Sequence, residues 1–353
     1  MDIKTLGIDI GKNKFHLHGI NAHGKIVVKK ALTRQKLYEY MAKLQPCLIG
    51  MEACGGAHHL ARMFKDMGHD VHLMAIQHVK PYVKVYKNDF NDAAGICEAV
   101  SRPHMNFVSI KTVAQQEILA IHTDRARLIE ERTALANEIR GVLLEHGITI
   151  PQGIHKIIPL VTELLDPECA EITPILKGLL QSMLEDFKRK YTLIKERDTV
   201  LNELAKNNPQ VQRLMTLPGI GIIIATAIVG KVGDVNVFKN GRQLAAWLGL
   251  VPNQYSTGGK TQLGRISKRG DRYLRSLLVH GARSVLVSLK RKKDEDLSSQ
   301  AKWLKSVAER RGHNKGIIAF ANKMARVAWA LLAHGTTYQD NYNRSSFKQN
   351  LAV

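Results

Sequence analysis

The sequence predicts an α/β domain at the N-terminus, followed by a mainly α-helical remainder. Three observations carry that expectation. Short β-rich runs alternate with helical patterns over the first 110 residues. Two long stretches then repeat apolar residues at three- and four-residue spacing with no proline inside them. From residue 208 onward the chain is glycine-punctuated, apolar and strongly basic.

The elements follow in order. Residues 5–10 read as a strand closed by Gly11, and residues 15–20 as a second in which apolar residues alternate with His. Residues 25–28 read as a third strand after a turn at 21–24. Spacing this close favours an antiparallel meander. A helix over 34–44, a strand over 47–51, a helix over 57–67 and a strand over 71–74 come next, then helices over 77–85 and 92–100. Three hairpin strands followed by αβαβα is the order of a ribonuclease H-like (RuvC-like) fold, and other α/β domains produce the same order. This domain is expected to span 1–110.

A helical hairpin or coiled coil is expected over 111–207. Ile118, Ile121, Leu128, Leu135, Ile139 and Val142 set one seam, with Arg125 and Arg132 on seam positions. Leu180, Leu184, Phe187, Tyr191, Ile194 and Leu201 set another, after a Pro-containing segment at 150–174. Spacing leaves pairing within one chain or between two equally open. A helical domain over 208–335 contains Leu-Pro-Gly-Ile-Gly at 217–221, a glycine-rich loop at 253–271, and helices at 273–289 and 316–332. The tail over 336–353 is polar and expected to be loose.

Composition bounds the function. The chain has 353 residues, with 52 Lys and Arg against 31 Asp and Glu, a formal charge of +21. Nucleic acid is the partner such a charge favours. Cys47, Cys54, Cys97 and Cys169 show no CxxC spacing, so neither a zinc site nor a disulfide framework is expected, and a reducing cytoplasm fits. Asp2 and Lys4 interrupt any N-terminal apolar region, and no apolar run approaches the roughly 20 residues that span a bilayer.

Four carboxylates stand out against this basic background. Asp9 ends one apolar run and Glu52 another, while Asp89 and Asp92 sit three apart before a helical pattern. Taken singly each is a turn or cap residue, and Asp92 is a natural N-cap. Taken together, at two strand ends and a helix start, they form an acidic cluster suited to one or two magnesium ions. Lys12 and His16 lie near Asp9 in sequence and are expected to point to solvent. The segment at 217–221 reads as the turn of a helix-hairpin-helix, with Gly219 and Gly221 allowing backbone N–H groups to meet a phosphate. A plain packing turn is the alternative. Ser256 and Thr257 precede two glycines and Lys260. This is a phosphate-contact loop or, more sharply, the site of a hydroxyl nucleophile. Lys260, Arg265, Lys268, Arg269, Arg272 and Arg275 crowd the same region, and residues 250–330 hold 18 Lys and Arg against 5 acids. That density is a phosphate-binding surface. With aromatics at 6%, base stacking is not the dominant signal.

The chain resembles the DEDD transposases of the insertion-sequence family called one-ten, subgroup eleven-eleven, which is related to Piv-type DNA invertases. Residues 7–12, 50–56 and 87–100 look like the three acidic motifs of its RuvC-like domain. Residues 217–221 and 256–283 look like its transposase domain. The resemblance implies that Asp9, Glu52, Asp89 and Asp92 bind magnesium. It implies that Ser256 attacks DNA to form a covalent phosphoserine. Aligning from Tyr255 puts Thr257 in that role instead, and the less hindered primary hydroxyl favours Ser256. It further implies double-stranded donor and target DNA, a structured non-coding guide RNA of the bridge type, dimers that assemble into tetramers, and a cytoplasmic, nucleoid-associated location. The expected function is magnesium-dependent DNA strand cleavage and exchange. A RuvC-like structure-selective endonuclease using water is the alternative enzyme. A non-catalytic nucleic-acid-binding protein is the alternative from another class.

Overall fold

The structure, a computed structural model, describes residues 2–83, 88–289, 291, 293, 295 and 297–340. The end of the helix expected over 77–85, Lys87 of the third acidic motif and the tail beyond residue 340 lie outside the described residues. The chain divides into two units. One is Met1–Gln115 with Val232–Lys239, and the other is Gln116–Lys231 with Asn240–Val353.

The first unit is built on one mixed sheet. Its strands and helices run β1 (Thr5–Ile10), β2 (Lys14–Ile20), β3 (Ile26–Thr33), α1 (Arg34–Ala42), β4 (Leu48–Glu52), α2 (Ala57–Asp66), β5 (Asp70–Met74), α3 (Ile76–Val79), α4 (Asp89–Val100) and β6 (Phe107–Val108). The sheet order is β3-β2-β1-β4-β5-β6. The three N-terminal strands pair antiparallel, as their spacing predicts, and β1, β4 and β5 pair parallel. β6 closes the edge with two residue pairs to β5. Two residues carry too little periodicity to be read from sequence. β3 runs five residues past the expected end, because its backbone pairs with β2 even where Lys29 and Lys30 interrupt the apolar pattern.

Two cores sandwich this sheet. On one face Leu6, Ile8, Ile49 and Met51 pack with Leu37 and Met41 of α1 and Leu60 and Phe64 of α2. On the other, Ile96, Ala99 and Val100 of α4 pack with Met74 and Val79. Helix α4 lies very close to the strands. A Cβ built on Gly7 would sit 2.2 Å from the Ala93 carbonyl oxygen, and one built on Gly50 would sit 2.7 Å from Val100 Cβ. Gly7 and Gly50 are direct partners across β1 and β4. Two adjacent glycines therefore form a shallow seat that lets a helix lie against the sheet.

The second unit begins with α5 (Val113–Leu144), α6 (Ile157–Leu164) and α7 (Pro174–Lys206). The two long helices pair within the chain. Arg125 reaches Asp198 at 2.5 Å, Lys190 reaches Glu131 at 3.0 Å and Arg197 reaches Asp124 at 2.8 Å, which fixes an antiparallel register. These half-exposed pairs add little energy. The apolar contacts do more: Ile139 and Leu143 of α5 meet Leu180, Leu184 and Phe187 of α7, and α6 fills the wide end with Ile157, Val161 and Leu164. Short α6 sits inside the segment read from sequence as a connection.

The remainder is α8 (Pro209–Met215), α9 (Ile222–Val232), α10 (Gly241–Trp247), a hairpin of β7 (Pro252–Thr257) and β8 (Lys260–Ile266), then α11 (Arg272–Leu289), α12 (Ser299–Arg311) and α13 (His313–His334). Helix α13 touches α8, α10, α11 and α12. Among the described residues, α13 alone is long and apolar enough to cross a membrane. Ile317, Phe320, Met324 and Ala328 are instead buried in the unit, and Lys323 and Arg326 interrupt the apolar run. The glycine-rich composition of 253–271 predicts a loop, whereas most of the segment is the β7–β8 hairpin. Nearly every residue of both strands is exposed, so neither face carries the apolar alternation that marks a strand. The signal present is the two-residue turn Gly258-Gly259, both at positive φ. The end of the described chain is tethered: the Tyr338 N–H donates to Thr216 Oγ1 at 2.9 Å.

A buried His marks this unit's interior. His122 of α5 is 1% exposed. Thr226 donates its hydroxyl to the Ile222 carbonyl at 2.7 Å, so it accepts from His122 Nε2 at 2.9 Å. His122 Nδ1 is left to accept from the Tyr273 hydroxyl at 3.0 Å. The neutral imidazole, protonated on Nε2, satisfies both partners. Burial pushes His122 down to about 4, helped by the charges of Arg125 and Lys231.

Two predictions follow from this packing. Gly7→Ala is expected to destabilise the first unit by about 1–3 kcal/mol through overpacking against Ala93 and Cys97. A urea titration measures that cost, and wild-type stability would show that α4 is not seated on Gly7. Between pH 6.5 and about 4 the unfolded chain takes up a proton at residue 122 that the fold refuses. Stability is therefore expected to fall with pH across this window, by about 3 kcal/mol from this one group. His122→Gln, which does not titrate, should show a flatter dependence of its unfolding midpoint on pH, and an unchanged slope would refute the assignment.

Candidate active site

The glycine seat determines where the acids fall. In β1, Gly7 and Asp9 are two apart and share a face, and Gly50 and Glu52 do the same in β4. Asp9 and Glu52 therefore emerge where the two parallel strands end, on the face that α4 covers. Such strand ends are where open α/β sheets bind ligands. Helix α4 starts at Asp89, three residues earlier than expected, because Asn88 is its cap and accepts from the Phe90 N–H at 2.9 Å. Asp92 is thus not the cap. Asp89 and Asp92 both lie in the first turn, three apart, where the helix dipole favours negative charge.

The four carboxylates interact. Burial raises the Asp9 pKa, with the charges of Asp92 and Asp89 adding to it. Burial likewise raises Glu52, with Asp9 and Asp92 adding. The Cys54 thiol is raised by burial and then by Glu52 and Asp9. Carboxylates that disfavour the charged forms of Asp9 and Glu52 in this way are a cluster that a cation relieves. Lys12 is exposed, as expected, but His16 is not turned to solvent. The β1–β2 register places it directly opposite Asp9. Its Nδ1 stands 3.8 Å from Asp9 Oδ2 and 3.6 Å from Asp89 Oδ2, beyond hydrogen-bond range. That nitrogen is buried with no hydrogen-bond partner. Only the pairing register reveals His16, so a sequence pattern that stops at the carboxylates passes over it.

The donor set suits a hard divalent ion, since it is made of carboxylate oxygens. Among the described residues, no group of three or more His, Cys, Asp or Glu is arranged to hold a metal ion as it stands. The donor chemistry fits a divalent cation, while the side chains are not drawn together as ligands.

Ser256 and Thr257 lie in the second unit, on β7. Ser256 pairs with Thr261 and Thr257 with Lys260, so the two hydroxyls point to opposite faces of the hairpin. Ser256 shares its face with Gln254, whose Nε2 donates to Ser256 Oγ at 2.8 Å. Both residues are exposed, and the flanking glycines make the turn sharp.

The basic residues divide into two groups. Lys260, Arg265, Lys268, Arg269 and Arg272 are exposed. Lys268 is the one non-glycine residue with positive φ, at 53°, among the described residues. Arg275 is half-buried, and its Nη1 donates to the carbonyls of Leu248 at 2.9 Å and Arg269 at 3.0 Å. It binds the chain's own backbone and holds the segment after the hairpin against the end of α10. The glycines of the turn at 217–221 also divide. Gly221 has open space around it, while a Cβ on Gly219 would meet Val285 at 2.8 Å and the Gly281 carbonyl at 2.9 Å. Gly219, at φ +86°, serves close packing against α11, as the plain packing reading of this turn expects.

Comparison with known proteins matches these two regions separately. A transposase family model, DEDD_Tnp_IS110, matches residues 6–148, the stretch that carries all four carboxylates. A second, described as the transposase IS116/IS110/IS902 family, matches residues 211–297, which contain the turn, the hairpin and α11. A probable family 20 transposase of Pseudomonas aeruginosa is 41% identical over 96% of this chain and 99% of its own. The transposase for insertion sequence element IS1111A of Coxiella burnetii is 43% identical over 96% of this chain and 92% of its own. The transposase for insertion sequence element IS1328 of Yersinia enterocolitica is 40% identical, again over 96% and 99%. With both of its regions matched and the similarity running nearly end to end, the chain belongs to the IS116/IS110/IS902 family of transposases, enzymes that cleave and recombine DNA.

Proposed function

We propose that this transposase cleaves and exchanges DNA strands by magnesium-dependent phosphoryl transfer, with Ser256 as the nucleophile. The observation that carries the reading is the convergence of Asp9, Glu52, Asp89 and Asp92 at the ends of β1 and β4 beneath the start of α4. Magnesium bound there would polarise a phosphate oxygen and offset the charge that develops on it. Asp9 and Glu52, fixed on strand ends, would hold it from the sheet side, and Asp89 and Asp92 from the helix side. His16, opposite Asp9, would orient the Asp9 and Asp89 carboxylates only once they move within hydrogen-bond range of it.

In the attack, a bond forms between Ser256 Oγ and phosphorus as the phosphorus–oxygen bond of the strand breaks. The hydroxyl loses its proton, and the departing sugar oxygen gains one. The covalent link conserves the phosphodiester for rejoining, which water as nucleophile would not. Gln254 donates to the Ser256 oxygen and leaves the serine proton free to be removed. A primary hydroxyl is less hindered than that of Thr257, which faces the other side of the hairpin. The acids and Ser256 belong to different units. The resemblance supports a complete site formed between protomers of a dimer or tetramer, with a structured RNA guiding the choice of DNA and the enzyme working in the cytoplasm at the nucleoid. The exposed cations from Lys260 to Arg272 would contact phosphates.

Trapping the protein–DNA adduct tests the chemistry. Asp92→Asn is expected to lower strand cleavage about a hundredfold or more at any magnesium concentration, with DNA binding kept. Ser256→Ala should abolish the adduct, and Thr257→Ala should retain it. Adduct formation by Ser256→Ala refutes the serine assignment. Cleavage by wild type with no adduct favours the water-using endonuclease, and binding with no cleavage favours the non-catalytic reading. For the guide, the protein purified from cells carrying its full element should bring down one discrete RNA encoded beside its gene. A bulk mixture of cellular RNA would count against guidance.

A further inference from the structure

We infer that a groove in the second unit, apart from the proposed nucleophile, binds an unpaired nucleic-acid strand through both its phosphates and its bases. The groove encloses about 2970 Å³ and is walled by the start of α10, the base of the β7–β8 hairpin, α12 and α13. Small-molecule sites run to about 300–1,000 Å³, so a space this large suits a polymer.

The charge of the lining is one-sided. Among the described residues, Arg242, Arg265, Lys268, Arg326, Lys315 and Lys323 line the groove, and no Asp or Glu does. Packing has brought together cations that lie far apart in the sequence. A polyanion is the chemistry that satisfies such a wall.

The lining also explains why the strand is unpaired. Two of the three tryptophans of the chain, Trp303 and Trp329, stand in this groove together with Tyr338. Trp303 is 38% exposed, and Lys323 Nζ lies 4.7 Å from its ring centroid. Ile318, Val327 and Leu331 add an apolar floor. A duplex turns its phosphates outward and hides its base faces, so it would meet the cations and leave the indoles and the floor unused. An unpaired strand offers bases for stacking and phosphates for the cations at once. Low aromatic content, read over the whole chain, argued against base stacking; the fold gathers those few aromatics onto one basic surface.

The inference goes beyond the proposed cleavage chemistry and is tested without it, by measuring affinity for short labelled oligonucleotides in the absence of divalent cations. Failure here leaves the acid cluster and Ser256 untouched, and loss of cleavage there leaves this groove untouched. Single-stranded DNA, single-stranded RNA and duplex DNA of one sequence are compared. Trp303→Ala is expected to weaken single-strand binding about tenfold, with Trp303→Phe close to wild type, and to leave duplex binding unchanged. Lys315→Ala with Arg326→Ala should lower the salt slope by about 1.4, while Lys188→Ala with Lys206→Ala, exposed cations on α7, should not change it. Photocrosslinking of iodouracil-substituted strands to the wild-type protein should map to the peptide holding Trp303, which needs no variant to fold. Loss with either sugar supports the inference. Unchanged single-strand binding by Trp303→Ala, equal effects of the two double variants, or crosslinks confined to other peptides would overturn it.

Discussion

The close approach of α4 to the sheet at Gly7 and Gly50 is the constraint on which the first unit depends. Neither residue has a side chain because neither has room for one: the nearest atoms are backbone of α4 at Gly7 and the Val100 side chain at Gly50. Backbone cannot rotate away as a long side chain can, so any larger residue at position 7 must push the helix. The seat also sets the geometry of the acids. Each glycine precedes its carboxylate by two residues, one strand repeat, so the helix that rests on the glycines arrives with its first turn over Asp9 and Glu52. One packing device thus places carboxylates from three parts of the chain beside one another.

The resulting cluster is electrostatically unfavourable in the absence of a cation, and the rest of the chain does little to correct that. Among the described residues, His16 is the one potentially cationic side chain within 4 Å of these carboxylates, and its buried Nδ1 makes no hydrogen bond. The excess Lys and Arg of the protein lie elsewhere, most densely between residues 250 and 330. A fold selected for stability alone would pair those charges. On the proposed reading, acids gathered at one site and cations gathered in a groove with no acid among its described lining residues would separate a place for metal from a place for phosphates.

Much of this was legible in the sequence, and the exceptions have physical causes. β1, β2, β4 and β5 declared themselves through apolar runs and alternation, and the long helices α5 and α7 through a seam sustained over many turns. The four carboxylates were legible because each ends or begins such an element. His16 was not, since its position opposite Asp9 is a matter of strand register. The β7–β8 hairpin was hidden because a strand exposed on both faces has no pattern to show. Helix α12 lies in a charged, weakly amphipathic stretch and gave no periodic signal. Arg275 looked like its basic neighbours, and only the carbonyls of Leu248 and Arg269 distinguish an arginine that braces the fold from one that faces solvent.

That hairpin bears on how the proposed chemistry is controlled. Catalytic groups work when their rotamers are locked by packing and supporting hydrogen bonds. Ser256 sits on a ribbon exposed on both faces, turning through two glycines, with Gln254 as its neighbour on the same exposed face. Tyr255 and Leu263, at 67% and 63% exposure, leave apolar surface uncovered on the two sides of the ribbon. A serine in that setting is neither desolvated nor next to a base, and is a poor nucleophile as it stands. The acids, for their part, are not drawn together around a metal. On the proposed reading each half of the site therefore awaits an outside contribution, metal and phosphate for the carboxylates and a covering surface for the hairpin. Such a division restrains an enzyme that breaks DNA: strand cleavage would require DNA, metal and a covering surface to be present together, so an unassembled chain would have no complete site with which to cut.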